Sequence, residues 1–119
     1  MINQNIISVA NITLSAKGYL PDKAVLKDIR VSYKKNTEGN LTKDIEATRY
    51  HCISPDNFDT FIIKVCGKEP IIDPEDFKKS NDNIFVEIPV SETVIKPYEI
   101  AFGRVKVSII APYVRIAKN

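Results

Sequence analysis

Apolar and polar positions alternate with a period of two along most of the chain, and that period predicts strands. The clearest run is 24 to 35 (AVLKDIRVSYKK), where Val25, Ile29, Val31 and Tyr33 face one way. Asp28, Arg30, Ser32 and Lys34 face the other. Residues 43 to 53 (KDIEATRYHCI) return as a partner strand after the polar loop 36 to 42 (NTEGNLT). In 60 to 66 (TFIIKVC), Phe61, Ile63 and Val65 share a face. In the closing stretch Val105, Val107, Ile109 and Ala111 oppose Arg104, Lys106 and Ser108.

Other segments fill in the order of elements. The β-branched run 6 to 19 predicts a strand, with a slip near Ala10 and Asn11 that suggests a bulge. Leu20-Pro21-Asp22-Lys23 predicts a turn. Asp73-Pro74-Glu75-Asp76-Phe77-Lys78-Lys79 predicts a short helix: an N-cap Asp, Pro at the first position, acids first and lysines last. IFVEIPV, 84 to 90, predicts a strand whose Pro89 places it at an edge or an end. SETVIKPYEI, 91 to 100, reads as a loop with Lys96 and Tyr98 near its tip.

One short helix among long strands predicts a mostly β fold. The expected architecture is a small OB-like five-stranded barrel with one short helix, with a β-sandwich as the alternative. No linker or repeat divides the 119 residues, so residues 1 to 119 are expected to form a single domain.

Composition narrows the function. A hydrophobic fraction of 44% and a charged fraction of 27% are ordinary for a soluble protein. The formal charge of +2 is small, so its distribution matters more than its size. Residues 73 to 92 gather Asp73, Glu75, Asp76, Asp82, Glu87 and Glu92, whereas 100 to 119 carry Arg104, Lys106, Arg115 and Lys118. The amino-terminal stretch has no signal-peptide pattern and no apolar run is long enough to span a bilayer. A cytoplasmic protein away from membranes is therefore expected. Cys52 and Cys66 make no disulfide framework.

Catalytic constellations are sparse. His51 and Cys52 are adjacent on a strand, point to opposite faces and cannot form a dyad. An enzyme would need His51 and Cys66 to meet in space. No metal or cofactor site is expected, and a binding module fits better than an enzyme.

Binding a single nucleic-acid strand needs cations that follow the phosphates and aromatic faces for the bases. The candidates are Arg30, Tyr33, Lys34, Lys35, Lys43, Arg49, Tyr50, Tyr98, Arg104, Lys106, Tyr113 and Arg115. Tyr33 continues an apolar strand face and reads more readily as core. Tyr50 is out of phase with Ile45 and Ala47, which exposes it unless a bulge intervenes. Pro112 could turn Tyr113 away from the face of Arg104 and Lys106.

The run TRYHCISPDNFDTFIIKVCGKEP, followed by IFVEIPV and YEIAFGRVKVSIIA, resembles small single-stranded DNA-binding proteins of Gram-positive conjugative plasmids and phages. The resemblance spans about residues 43 to 111. It implies an OB-like fold and sequence-tolerant binding of single-stranded DNA, with RNA as the alternative, in plasmid transfer or replication. It gives that role in general terms to Arg49, Tyr50, Arg104 and Lys106. A homo-oligomer on the strand is expected. The alternative is a structural or adaptor β-domain of a phage particle or conjugation machinery.

Overall fold

The computed structural model describes residues 13–101 and 104–117, without the side chains of 98–105. The strands are β1 (Leu14–Ser15), β2 (Lys23–Lys35), β3 (Leu41–Ile53), β4 (Thr60–Cys66), β5 (Phe85–Glu87), β6 (Val94–Ala101), β7 (Arg104–Ile110) and β8 (Arg115–Ile116). Among the described residues one helix, α1 (Pro74–Lys79), precedes β5. All eight strands join one mixed sheet in the order β1-β6-β7-β4-β3-β2-β5-β8.

The fold is therefore mostly β with one short helix, but it is not a closed five-stranded barrel. The sheet is open, and the described strands do not divide into the two sheets of a sandwich. It is nevertheless curled. The N–H of Ala111 bonds the carbonyl of Lys64 on β4, while Arg115 pairs with Glu87 on β5. In a flat sheet β4 and β8 would lie about 19 Å apart, more than the roughly 14 Å that four residues can span. Curling brings β8 back toward β4 across the core.

That core gathers Leu26 and Ile29 of β2, Tyr50 and Cys52 of β3, Ile63 and Val65 of β4, and Val86 of β5. Ile95, Ile109, Ala111 and Val114 complete it from the carboxyl-terminal side. Helix α1 lies against β2 with Phe77 packed on the core. The helix forms as its sequence predicts. The Asp73 carboxylate accepts the Glu75 N–H at 2.8 Å, Pro74 opens the first turn, and Ser80 closes the last through Phe77.

Two bulges set which side chains face the core. Between β2 and β3, Leu26 pairs with Cys52 and Asp28 with His51, so Lys27 is an extra residue. Ala24 and Leu26 face inward before it and Ile29 after it. The alternation that groups Val25 with Ile29 is thereby corrected, because the bulge puts them on opposite faces. Further on, Ser32 pairs with Ala47 but Tyr33 with Ile45, leaving Glu46 as the second extra residue.

Three segment expectations also change. SETVIKPYEI is not a loop: Val94–Ala101 is strand β6, antiparallel to β7. The strand expected over 6 to 19 reduces, where described, to Leu14–Ser15, with a turn at Lys17-Gly18-Tyr19. Its part before residue 13, including the slip at Ala10 and Asn11, lies outside the described residues. The loop after β2 shrinks to 36–40, where Asn36 Oδ1 accepts the N–H groups of Glu38 and Asn40, both at 2.9 Å.

Candidate nucleic-acid interface

Residues paired across a sheet share a face. Arg30 pairs with Arg49, Arg49 with Lys64, and Lys64 with Ile110. Three cations therefore stand side by side on β2, β3 and β4, on the face away from the core. At the usual strand spacing the row is about 10 Å long. A second row, Asp28, His51 and Ile62, lies beside it. By the same alternation Lys96, Lys106 and Ser108 belong to the outward side of the β6–β7 hairpin.

Like charges directly opposite one another destabilise a sheet. The row is only partly neutralised. Asp28 Oδ2 accepts from Arg30 Nε at 3.0 Å, and that bond holds the Asp28 carboxyl below its usual range. Arg49 Nη1 donates to Ser32 Oγ at 3.1 Å, while the Ser32 hydroxyl donates to the Ala47 carbonyl at 3.2 Å. The hydroxyl fixes the guanidinium without cancelling its charge. Among the described residues the ion pairs are Arg30–Asp28 and Lys78–Glu75, so neither Arg49 nor Lys64 has a carboxylate partner.

The other predicted residues divide into three groups. Lys34, Lys35 and Lys43 are exposed near the end of the β2–β3 hairpin, an arm contiguous with the row's strands. Tyr33 is exposed too, but it pairs with Ile45 and lines a hollow with Pro70 and Pro74 beside α1. It thus stands on the face opposite the cations. Lys106 is exposed on β7. Tyr98 and Arg104 occupy register positions opposite Lys106 and Ala101, and their side chains lie outside the described residues.

Tyr50 is a correction. It is 1% exposed, and its hydroxyl accepts the Ile71 N–H at 3.0 Å, so no base can stack on it. The bulge at Glu46 is the reason, because it shifts Tyr50 onto the core face. Tyr113 and Arg115 are a second correction. They lie at the β8 end, with the Arg115 guanidinium 4.6 Å and the Lys68 ammonium 5.9 Å from the centre of the half-buried Tyr113 ring. The cations occupy the ring that stacking would need.

Lys64 is the cation that sequence reasoning missed. It stands in the apolar-looking TFIIKVC strand, and pairing that strand with 43 to 53 through Arg49 would have found it. His51 and Cys66 do not meet. They pair with Ile62 and Ala47, which puts about 13 Å of strand between them.

Beside the row the sheet parts. β4 and β7 run parallel and pair only at Ile63–Ile109 and Lys64–Ile110. Their amino-terminal halves diverge around a cleft of about 600 Å³ bordered by His51, Phe61, Ile62, Val107 and Ile109. A smaller hollow of about 300 Å³ shares Ile62, Val107 and Ile109 and is also lined by Arg49 and Lys64. Among the described residues no helix is long and apolar enough to cross a membrane. Comparison with protein-family models, with curated proteins and with solved structures gave no match.

Proposed function

We propose that the protein binds single-stranded DNA in a sequence-tolerant way, through the phosphates rather than through stacked tyrosines. The supporting observation is the transverse row Arg30–Arg49–Lys64. A row of opposed cations that the fold neutralises only in part costs stability, whereas a phosphodiester chain laid across it offsets that repulsion. Lys34 extends the positive surface along β2 on one side, and Lys96 and Lys106 extend it on the other. The setting in plasmid transfer or phage replication rests on the resemblance of residues 43 to 111 alone.

Three phosphates neutralised on a single strand give a slope of log K against log salt of about −2, and each further lysine engaged steepens it by about 0.7. Titration of a labelled oligonucleotide at several salt concentrations measures this directly. Absence of binding at about 50 mM salt, or equal affinity for duplex, would overturn the reading.

One observation favours a second reading. Arg49, Tyr50 and Arg115 do not share a face: Tyr50 is core and Arg115 sits on the edge strand β8. A dispersed set of this kind suits a structural or adaptor β-domain. The same titration separates the two readings.

A further inference from the structure

The cleft between β4 and β7 is largely apolar, yet it adjoins the cations Arg49 and Lys64. Its walls include Ile53, Phe61, Ile62, Val107 and Ile109. Ile62 and Val107 are 45% and 54% exposed, high for aliphatic side chains beside a core. The register explains the exposure. Val107 has the inward phase of Ile109, but the pairing of β7 with β4 stops at Ile63, so nothing of β4 covers it.

The polar groups that line it are Lys27 and Asp28 of β2, His51 of β3 and Thr60 at the start of β4. An apolar hollow with a few polar groups at its edge is the usual form of a small-ligand site.

The adjoining hollow adds charge to this shape. It joins Ile62, Val107 and Ile109 to Arg49 and Lys64. A molecule that fills the cleft and reaches into this hollow meets two cations that have no carboxylate partner among the described residues. A flat apolar body carrying an anionic end is the complementary shape and charge, and a nucleotide unit is such a body.

We propose that the β4–β7 cleft receives a nucleobase of a strand whose phosphates lie on Arg49 and Lys64. The inference rests on the strand-binding reading and adds a base-dependent component to it. Ile62 and Val107, which line both hollows, contact the base, and the polar groups Lys27, Asp28, His51 and Thr60 meet its edge. The cations hold the backbone whatever the base, so the cleft adds affinity with little sequence preference.

The test compares two oligonucleotides of equal length and charge, one with bases and one wholly abasic, against the full chain and the Ile62→Ala/Val107→Ala variant. Both side chains are substantially exposed, and thermal melts check that the variant keeps its fold. A base held between apolar side chains is expected to raise affinity about tenfold over the abasic strand in the native protein. The variant should bring that ratio close to one while leaving abasic affinity unchanged. Equal binding of both strands by the native protein would overturn the cleft and leave backbone binding standing. A variant that weakens both strands equally would overturn it as well. Failure of the native protein to bind either strand would overturn the strand-binding reading itself, and the cleft proposal with it.

Discussion

The phenolic oxygen of Tyr50 accepts a hydrogen bond from the backbone N–H of Ile71 at 3.0 Å, tying the segment after β4 onto the core face of β3. The ring is fully buried, and Ile71 is packed against the same core. Tyr50→Phe keeps the ring and orphans a partly buried N–H. The expected cost is about 1–3 kcal/mol, read as a lower urea midpoint at unchanged m-value. An unchanged midpoint would mean that water replaces the hydroxyl at Ile71.

Cys52 gives the protein an alkaline limit. Burial pushes its thiol from 9.0 up to about 12, since the core disfavours the thiolate. Burial raises Tyr50 in the same direction, partly opposed by the Ile71 N–H. A proton held more tightly in the folded state stabilises fully below the unfolded pKa, and that stability is lost as pH rises toward the folded value. Stability should therefore fall between pH 9 and about 12, with Cys52 contributing on the order of 4 kcal/mol across the window. Cys52→Ala should flatten that fall, as measured by denaturant titrations at stepped pH. A slope identical to the native one would remove Cys52 as its source.

The meander β2–β3–β4 and the capped helix were legible because each rests on a local pattern: alternation for the strands, and Asp73-Pro74 with Ser80 for α1. The bulges at Lys27 and Glu46 were not, since an extra residue leaves an alternating sequence looking regular on either side. The alternation therefore groups Val25 wrongly with Ile29, and Tyr50 reaches the core through the bulge that its phase had left open. β6 was hidden by Pro97, which suggests a loop. Yet Pro97 stands inside the strand, at the register position opposite Val107 of β7. The parallel contact between β4 and β7, and with it the cleft, depends on pairing across more than forty residues that no local pattern encodes. The cationic row was half legible: Arg30 and Arg49 stood out, whereas Lys64 needed the register.

Asp28 restrains the proposed interface. Its carboxylate holds the Arg30 Nε at 3.0 Å and also accepts the Ile29 N–H at 2.9 Å. Asp28→Asn keeps an acceptor for Ile29 but frees Arg30 of its counter-charge. Strand affinity should rise several-fold at low salt, with a steeper salt slope as Arg30 engages a further phosphate. Unchanged affinity and slope would place Arg30 outside the interface.

Phe58 carries backbone strain. It is 77% exposed and has φ of 62°, a left-handed conformation that a side chain beyond glycine, asparagine or aspartate seldom adopts. The turn holds it there, with the Phe58 N–H on the Ser54 carbonyl at 2.9 Å and the Ser54 N–H on the Asp59 carbonyl at 2.8 Å. Phe58→Asn should relieve about 1 kcal/mol and raise the melting temperature by several degrees. A lower melting temperature would show that the ring makes a contact worth more than the strain.

Arg49 separates a structural role from a binding role, because the two predict changes of opposite sign. It stands between Arg30 and Lys64, and among the described residues its charge is met by the Ser32 hydroxyl at 3.1 Å and by no carboxylate. If the row serves a strand, Arg49→Thr removes repulsion from both neighbours and places a β-branched residue on a central strand. Stability at low salt should then rise by about 0.5 kcal/mol, and the gain should shrink as salt screens the charges. Strand affinity should fall in the same variant, with the salt slope shallower by about 0.7. Paired denaturant and oligonucleotide titrations on one preparation measure both. A variant that loses stability, with its slope unchanged, would make Arg49 a part of the fold instead of a phosphate contact.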